Sequence, residues 1–167
     1  MEAPSGGGPF AARVTAAAAM LLADIARASA STWSEAGGVA AQAESLHDRT
    51  SPLADLSAQA YVAALSAEGG DYEVGRAYAR AVEPPLRIAE AAADVVELAA
   101  YVAENADPAR RADAVSAGLV AAGCVHAAAE LVAVNLTVAA NDERVRRANL
   151  LAEEAARTAR AARAARE

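Results

Sequence analysis

Apolar residues recur along this chain at three- and four-residue steps and nowhere alternate as they would in a strand, so the pattern predicts an all-α protein. The organising stretch runs from Glu83 to Val138. In it a Pro84-Pro85 step leads into two long Ala/Val/Leu segments joined through Asn105-Ala106-Asp107-Pro108. Both segments are too long for strands, and Glu, His and Asn interrupt them too often for membrane spans.

Breakers and caps divide the rest. Residues 1–8 read as a flexible leader, and Pro9 opens a first helix that runs to about Ser29. Phe10, Val14, Ala17, Ala18, Leu21 and Ile25 supply its expected apolar face, with Arg13, Asp24 and Arg27 opposite. A second helix is expected from Trp33 to Leu46, with a soft point at Gly37-Gly38. Ser51 and Pro52 signal a third, as N-cap and first helical residue, reaching about Ala67 before Glu68-Gly69-Gly70-Asp71 turns the chain. The next segment, Tyr72 to Glu104, should bend at Pro84-Pro85, because each proline removes a helix donor. Asp107-Pro108 opens a helix to about Ala139, and Asn141-Asp142 caps a last one to about Arg166, whose Ala/Arg tail from residue 157 reads as a fraying end. The whole is one domain, residues 1–167: an up-and-down bundle of about five long helices.

Composition adds an assembly expectation. Of the residues, 55% are hydrophobic but only 4% aromatic, much of the remainder being alanine. Small side chains bury little area each, so such helices need length or a partner chain, and a homodimer is expected. A net charge of −7 excludes a nucleic-acid footprint, and the absence of lysine excludes Schiff-base and phosphate-loop lysine chemistry. One cysteine, Cys124, excludes an intrachain disulfide and any multi-cysteine metal site and fits a reducing cytosol. No secretory leader pattern stands at the start, so a cytoplasmic protein without a membrane partner is expected.

Several side chains could carry chemistry. Asp113, Cys124 and Asn135 are spaced by eleven and share one azimuth of a helix. On that stripe Asp113 reads either as an acid or base with a raised pKa or as a complement to the helix dipole. Asn135, in an apolar run, requires a ligand or an interhelical hydrogen bond. Glu83 faces a ligand or simply marks a corner. Asp24 is expected to pair with Arg13 or Arg80 or to serve a pocket. His126 and Glu130, four apart, suit a subunit or surface contact, and His47 reads as solvated. Gly6, Gly7 and Gly8 offer backbone donors at a helix start.

Taken in order, these pieces resemble the formiminotransferase-cyclodeaminase C-terminal family. The carrying residues are Ala3-Pro4-Ser5-Gly6-Gly7-Gly8-Pro9, Ala60-Tyr61, Ala81-Val82-Glu83-Pro84-Pro85-Leu86, Asn105 with Ala112-Asp113-Ala114-Val115, and Val134-Asn135-Leu136. The resemblance implies a homodimeric helical bundle that closes or opens the ring bridging two folate nitrogens through one carbon. The implied catalytic residues are Asp113, Glu83 and Asn135; Gly6, Gly7 and Gly8 are expected to bind substrate, together with Arg13 and Asp24, which the pocket would gain relative to the family pattern. No metal and no permanently bound cofactor are implied; a tetrahydrofolate derivative would be the substrate. The chain departs from the family pattern at Pro9, Arg13, Thr15 and Asp24, at Ser57, where an Asp is expected, and at Leu131, where an Asn is expected.

Overall fold

The structure, a computed structural model, describes residues 6–136 and 141–165. All regular structure among them is helical: α1 (Gly7–Ala28), α2 (Ala36–Thr50), α3 (Leu53–Leu65), α4 (Asp71–Ala81), α5 (Glu83–Asn105), α6 (Arg111–Asn135) and α7 (Glu143–Ala164). The long rods are α1, α2, α5, α6 and α7, as expected, with α3 and α4 as shorter supports. Neighbouring rods α1 and α2, α2 and α5, α5 and α6, and α6 and α1 run antiparallel.

Local signals explain most boundaries. Asp107 Oδ1 accepts from the Ala109 amide at 2.9 Å and opens a 3-10 turn, Pro108–Arg110, that feeds α6. Asp142 Oδ1 accepts from the Arg144 amide at 2.8 Å and starts α7. Gly69, at φ 126°, takes the left-handed conformation between α3 and α4. Pro84 and Pro85 sit in the first turn of α5, where their missing donors cost no helical bond, so the expected bend becomes a junction at Val82.

Four expectations change. The first helix starts at Gly7 rather than Pro9, so Gly7 and Gly8 belong to α1 and not to a leader; Met1 to Ser5 lie outside the described residues. Ser51 does not cap α3: its hydroxyl bonds back to the His47 carbonyl at 2.9 Å, which prolongs α2 to Thr50. His47 is not solvated either, since its Nδ1 lies 3.1 Å from the Ala16 carbonyl and ties α2 to α1. The Ala/Arg tail stays helical to Ala164, with Ala159 buried and the Ala165 carbonyl held by Arg111 Nη2 at 3.0 Å. That same guanidinium bonds the Ala103 carbonyl through Nη1 at 3.0 Å, so one cation closes the negative ends of α5 and α7.

The core is built from alanine and valine. On α7 the inward residues are Ala148, Ala152, Ala155 and Ala159. On α1 they include Ala11, Ala12, Ala19, Leu22 and Ala26, whereas Phe10 and Leu21 face outward. The apolar face expected from the bulky residues is therefore largely the outer one. Contact distance is set where backbones meet: a Cβ on Gly118 would stand 3.1 Å from Ala99 Cβ, so α5 and α6 touch with no room between them. Gly118→Val should wedge them apart and cost roughly 1–3 kcal/mol. Chemical denaturation followed by circular dichroism measures it; an unchanged midpoint would contradict so tight a contact.

Candidate functional site

A cavity of about 300 Å3 opens where the N-terminus of α1, the first turn of α5 and the C-terminus of α6 converge. Gly6, Gly7, Gly8 and Pro9 form one wall, Ser57, Ala58 and Tyr61 of α3 a second, and Ala81 with Pro85 a third. Leu131, Val134 and Asn135 close it from α6. Two helix N-termini and one C-terminus thus point at the same space, with partial positive charge on one side and partial negative on the other.

The glycines are there for a steric reason. A Cβ on Gly8 would overlap Ser57 Oγ, and one on Gly7 would reach Leu131 Cδ1 at 3.4 Å. Only a bare backbone lets α1 start this close to α3 and α6. Because Gly7 and Gly8 are the first two helical residues, their amides have no intrahelical acceptor, and Pro9 has no amide at all. Asn135 is the last residue of α6; Nδ2 donates to the Leu131 carbonyl at 2.9 Å, which leaves Oδ1 as an acceptor. Its place at a helix end, rather than inside a longer run, differs from the expected reach to Ala139; Thr137 to Ala140 lie outside the described residues.

Within one chain, the expected site residues separate into two groups. Gly6, Gly7, Gly8 and Asn135 line the cavity. Glu83 stands exposed beside it at the α4–α5 junction, 3.5 Å from Arg144. Asp113 is exposed on the first turn of α6, and twenty-two residues at 1.5 Å rise put it about 33 Å from Asn135. Arg13 and Asp24 lie on the outer surface of α1, and Asp24 pairs with Arg27 at 3.1 Å rather than with Arg13 or Arg80. His126 and Glu130 are exposed on α6. Cys124 is buried beside Thr15, and burial pushes its thiol pKa up, so it stays protonated.

Among the described residues the cavity's polar groups are accordingly the Ser57 and Tyr61 hydroxyls, the Asn135 amide and the glycine amides, and none of its described lining residues carries a carboxylate, imidazole or guanidinium. Among the described residues no group of three His, Cys, Asp or Glu is placed to hold a metal ion. A larger groove of about 560 Å3 lies between α2 and α5, but it is an open surface of paired charges such as Arg49–Asp94 at 2.5 Å.

One residue that local sequence patterns do not reveal shapes the approach to the cavity. Arg144 donates to Asp142, to the Ala79 carbonyl at 2.9 Å and to Glu83, pinning the α4–α5 junction to α7. The Arg144 side chain and amide together pull the Asp142 pKa down to about 2.

The described residues thus form an antiparallel, alanine-rich helical bundle with a glycine-headed cavity at one end. The chain belongs to the formiminotransferase-cyclodeaminase family, whose sequence profile matches residues 1–156. Its fold is similar to that of the crystal structure of formiminotetrahydrofolate cyclodeaminase from Thermotoga maritima, at a TM-score of 0.81 and 16% identity, covering 94% of this chain and 83% of that one. No curated protein sequence matches it.

Gly8→Ala should destabilise the fold by roughly 1–3 kcal/mol, and Ser57→Ala in the same chain should recover most of that, because the overlap is with one hydroxyl. A double-mutant cycle in urea tests it; additivity would contradict the contact. Asp142→Ala should lower the Tm by a few degrees at pH 7. Since the folded-state pKa is depressed, the aspartate's contribution is complete above about pH 4 and fades as pH falls toward 2, so the two melting temperatures should converge there. Melting curves across that range would show a constant gap if the carboxylate were not the cause.

Proposed function

We propose that this protein is a cyclodeaminase- or cyclohydrolase-type enzyme, a lyase or hydrolase acting on a tetrahydrofolate one-carbon adduct. The observation that supports this best is convergence: the glycine start, Tyr61 of the Ala-aromatic step, Pro85 of the Pro-Pro corner and Asn135 of the closing run, scattered over 130 residues, line one cavity. In ring closure, one folate nitrogen adds to the bridging carbon and the amine on that carbon leaves as ammonia after taking up a proton. In ring opening, water adds to the same carbon and a C–N bond breaks. Either direction needs groups that orient the one-carbon unit and one that moves a proton.

In this reading Asn135 Oδ1 accepts from the N–H of the one-carbon unit, and the Gly7 and Gly8 amides hold a substrate oxygen at the positive end of α1. Tyr61, half exposed at the mouth, offers its ring to a flat heterocycle. Glu83, exposed at the α4–α5 junction beside the cavity, serves at the rim. Pro9, Ser57 and Leu131 make the cavity more apolar than the family pattern, so binding leans on shape and backbone donors. A second reading rests on the apolar character of the described lining, which is Gly, Pro, Ala, Leu and Val apart from Ser57, Tyr61 and Asn135: a bundle that keeps the fold and binds without turnover.

Thermal-shift measurements with tetrahydrofolate derivatives, followed by absorbance of the methenyl adduct, separate the readings. Stabilisation by several degrees with turnover, both lost in Asn135→Ala, is expected of the enzyme. Stabilisation alone is expected of the non-catalytic bundle. No shift with any tetrahydrofolate derivative would end the folate assignment.

A further inference from the structure

A separate cleft of about 310 Å3 lies where α2, α3, α5 and α7 meet, and it shares no lining residue with the glycine-headed cavity. It adjoins the larger α2–α5 groove through Arg49 and Asp94. Helical spacing explains its make-up. Arg87, Glu90, Ala91 and Asp94 stand at i, i+3, i+4 and i+7 and form one stripe of α5, while Arg147 and Leu151 are four apart on α7. Arg49 comes from the last turn of α2, and Leu53 opens α3. Leu53 and Ala91 are buried and Leu151 packs against the core, so the floor is apolar. The rim is ionic: three guanidiniums from three different helices, and two carboxylates from α5.

These charges are not fully matched. Arg49 Nη2 lies 2.5 Å from Asp94 and Arg147 Nη2 lies 2.6 Å from Glu90. Arg87 makes no ion pair and no hydrogen bond among the described residues, although Glu83 and Glu90 occupy the i−4 and i+3 positions where a helical partner would stand. Both of those carboxylates are taken by α7 instead, Glu83 by Arg144 at 3.5 Å and Glu90 by Arg147. The cleft therefore carries an excess of positive charge within a chain of net charge −7. Its paired groups also keep spare capacity. Arg49 and Arg147 meet their carboxylates through Nη2, whereas a guanidinium has five N–H donors; Glu90 Oε2 and Asp94 Oδ1 accept nothing from the described residues. Because the pairs are partly exposed they contribute little to stability, and rearranging them around a ligand costs little.

We propose that this cleft binds a small phosphorylated polyol, a sugar phosphate or the ribose phosphate of a nucleotide. Its phosphate is clamped by Arg49, Arg87 and Arg147, and its hydroxyls donate to Glu90 and Asp94. A phosphate presents acceptor oxygens in several directions and so matches guanidiniums arriving from three helices; a carboxylate has two coplanar oxygens, which one guanidinium satisfies. The open carboxylate oxygens beside the arginines call for donors, which the hydroxyls of a polyol supply. The carbon frame rests on Leu53, Ala91 and Leu151, whose apolar surface excludes water and strengthens the charge contacts above it. The volume stands at the lower end of small-molecule sites, about 300–1,000 Å3, which suits one phosphorylated sugar. Nothing in this assignment uses the folate reading, so either can fail alone.

Calorimetric titration of the full chain with ribose 5-phosphate at low ionic strength, where charge contacts are least screened, tests it. One site per chain is expected, with affinity that falls as salt is added. Arg87→Gln should weaken binding about tenfold to a hundredfold and leave the melting temperature of the free protein unchanged, because no contact within the chain is lost. Arg147→Gln, from a different helix, should weaken it comparably. Arg110→Gln removes the same charge from the exposed turn before α6 and should not change it. Ribose 5-phosphate should bind at least about tenfold more tightly than inorganic phosphate, since it adds the hydroxyl contacts. Adenosine monophosphate is the second arm: tighter binding than ribose 5-phosphate identifies a nucleotide as the source, and equal or weaker binding a free sugar phosphate. Absence of saturable binding by both, an equal loss in Arg110→Gln, or full affinity in Arg87→Gln would each overturn the proposal. So would inorganic phosphate or succinate held as tightly as ribose 5-phosphate.

Discussion

Everything in this fold depends on how closely helices can approach when their facing side chains are methyl groups. Ala99 against Gly118 fixes the α5–α6 contact, and Gly8 against Ser57 fixes the start of α1. Alanine packing gives short interhelical distances but little buried area per residue. Such a bundle is dense but weakly anchored along its length, and its ends are where stronger polar ties are found. Arg111 closes the ends of α5 and α7, Arg144 ties α4, α5 and α7, and His47 ties α2 to α1.

The same close approach creates the cavity. Where α1 begins, the absence of side chains on Gly7 and Gly8 leaves room bounded by backbone, and the residues that fill the remaining wall are Ser57, Tyr61, Pro85 and Leu131. Two of these, Ser57 and Leu131, are positions at which the chain departs from its family's pattern. With a hydroxyl and an isobutyl group at these two positions, the described lining carries no charged side chain and offers backbone donors instead.

Helix boundaries were legible wherever the cause is local. Asp107 and Asp142 signal their caps within two residues, and Gly69 its turn. Faces and sites were less legible. The large residues of α1 dominate any hydrophobic pattern, yet its inward contacts are made chiefly by alanines, so Phe10 and Leu21 face outward and Val14 lies at the edge of the core. The eleven-residue spacing of Asp113, Cys124 and Asn135 fixed their azimuth but not their height, and along one rod they span about 33 Å. Asp24 had its partner, Arg27, three residues away, where helical spacing alone could have found it. Arg144 could not have been found that way, because its contacts at Ala79 and Glu83 lie 65 and 61 residues distant. Ser57 and Leu131 were visible as departures, and the departures themselves were the signal that a wall of the cavity lay there.

One feature of α4 bears on how a ligand reaches that cavity. Of its eleven residues only Ala81 is buried, and that residue is also part of the cavity wall. The floor, made by α1, α5 and α6, shares the stability of the whole bundle, while the wall beside it packs chiefly on the short helix α3 and is tied to α7 through Arg144. Opening there costs far less than global unfolding. Entry and exit can therefore proceed by local breathing of one short helix, on a timescale independent of the scaffold that holds the amide and the glycine donors in place.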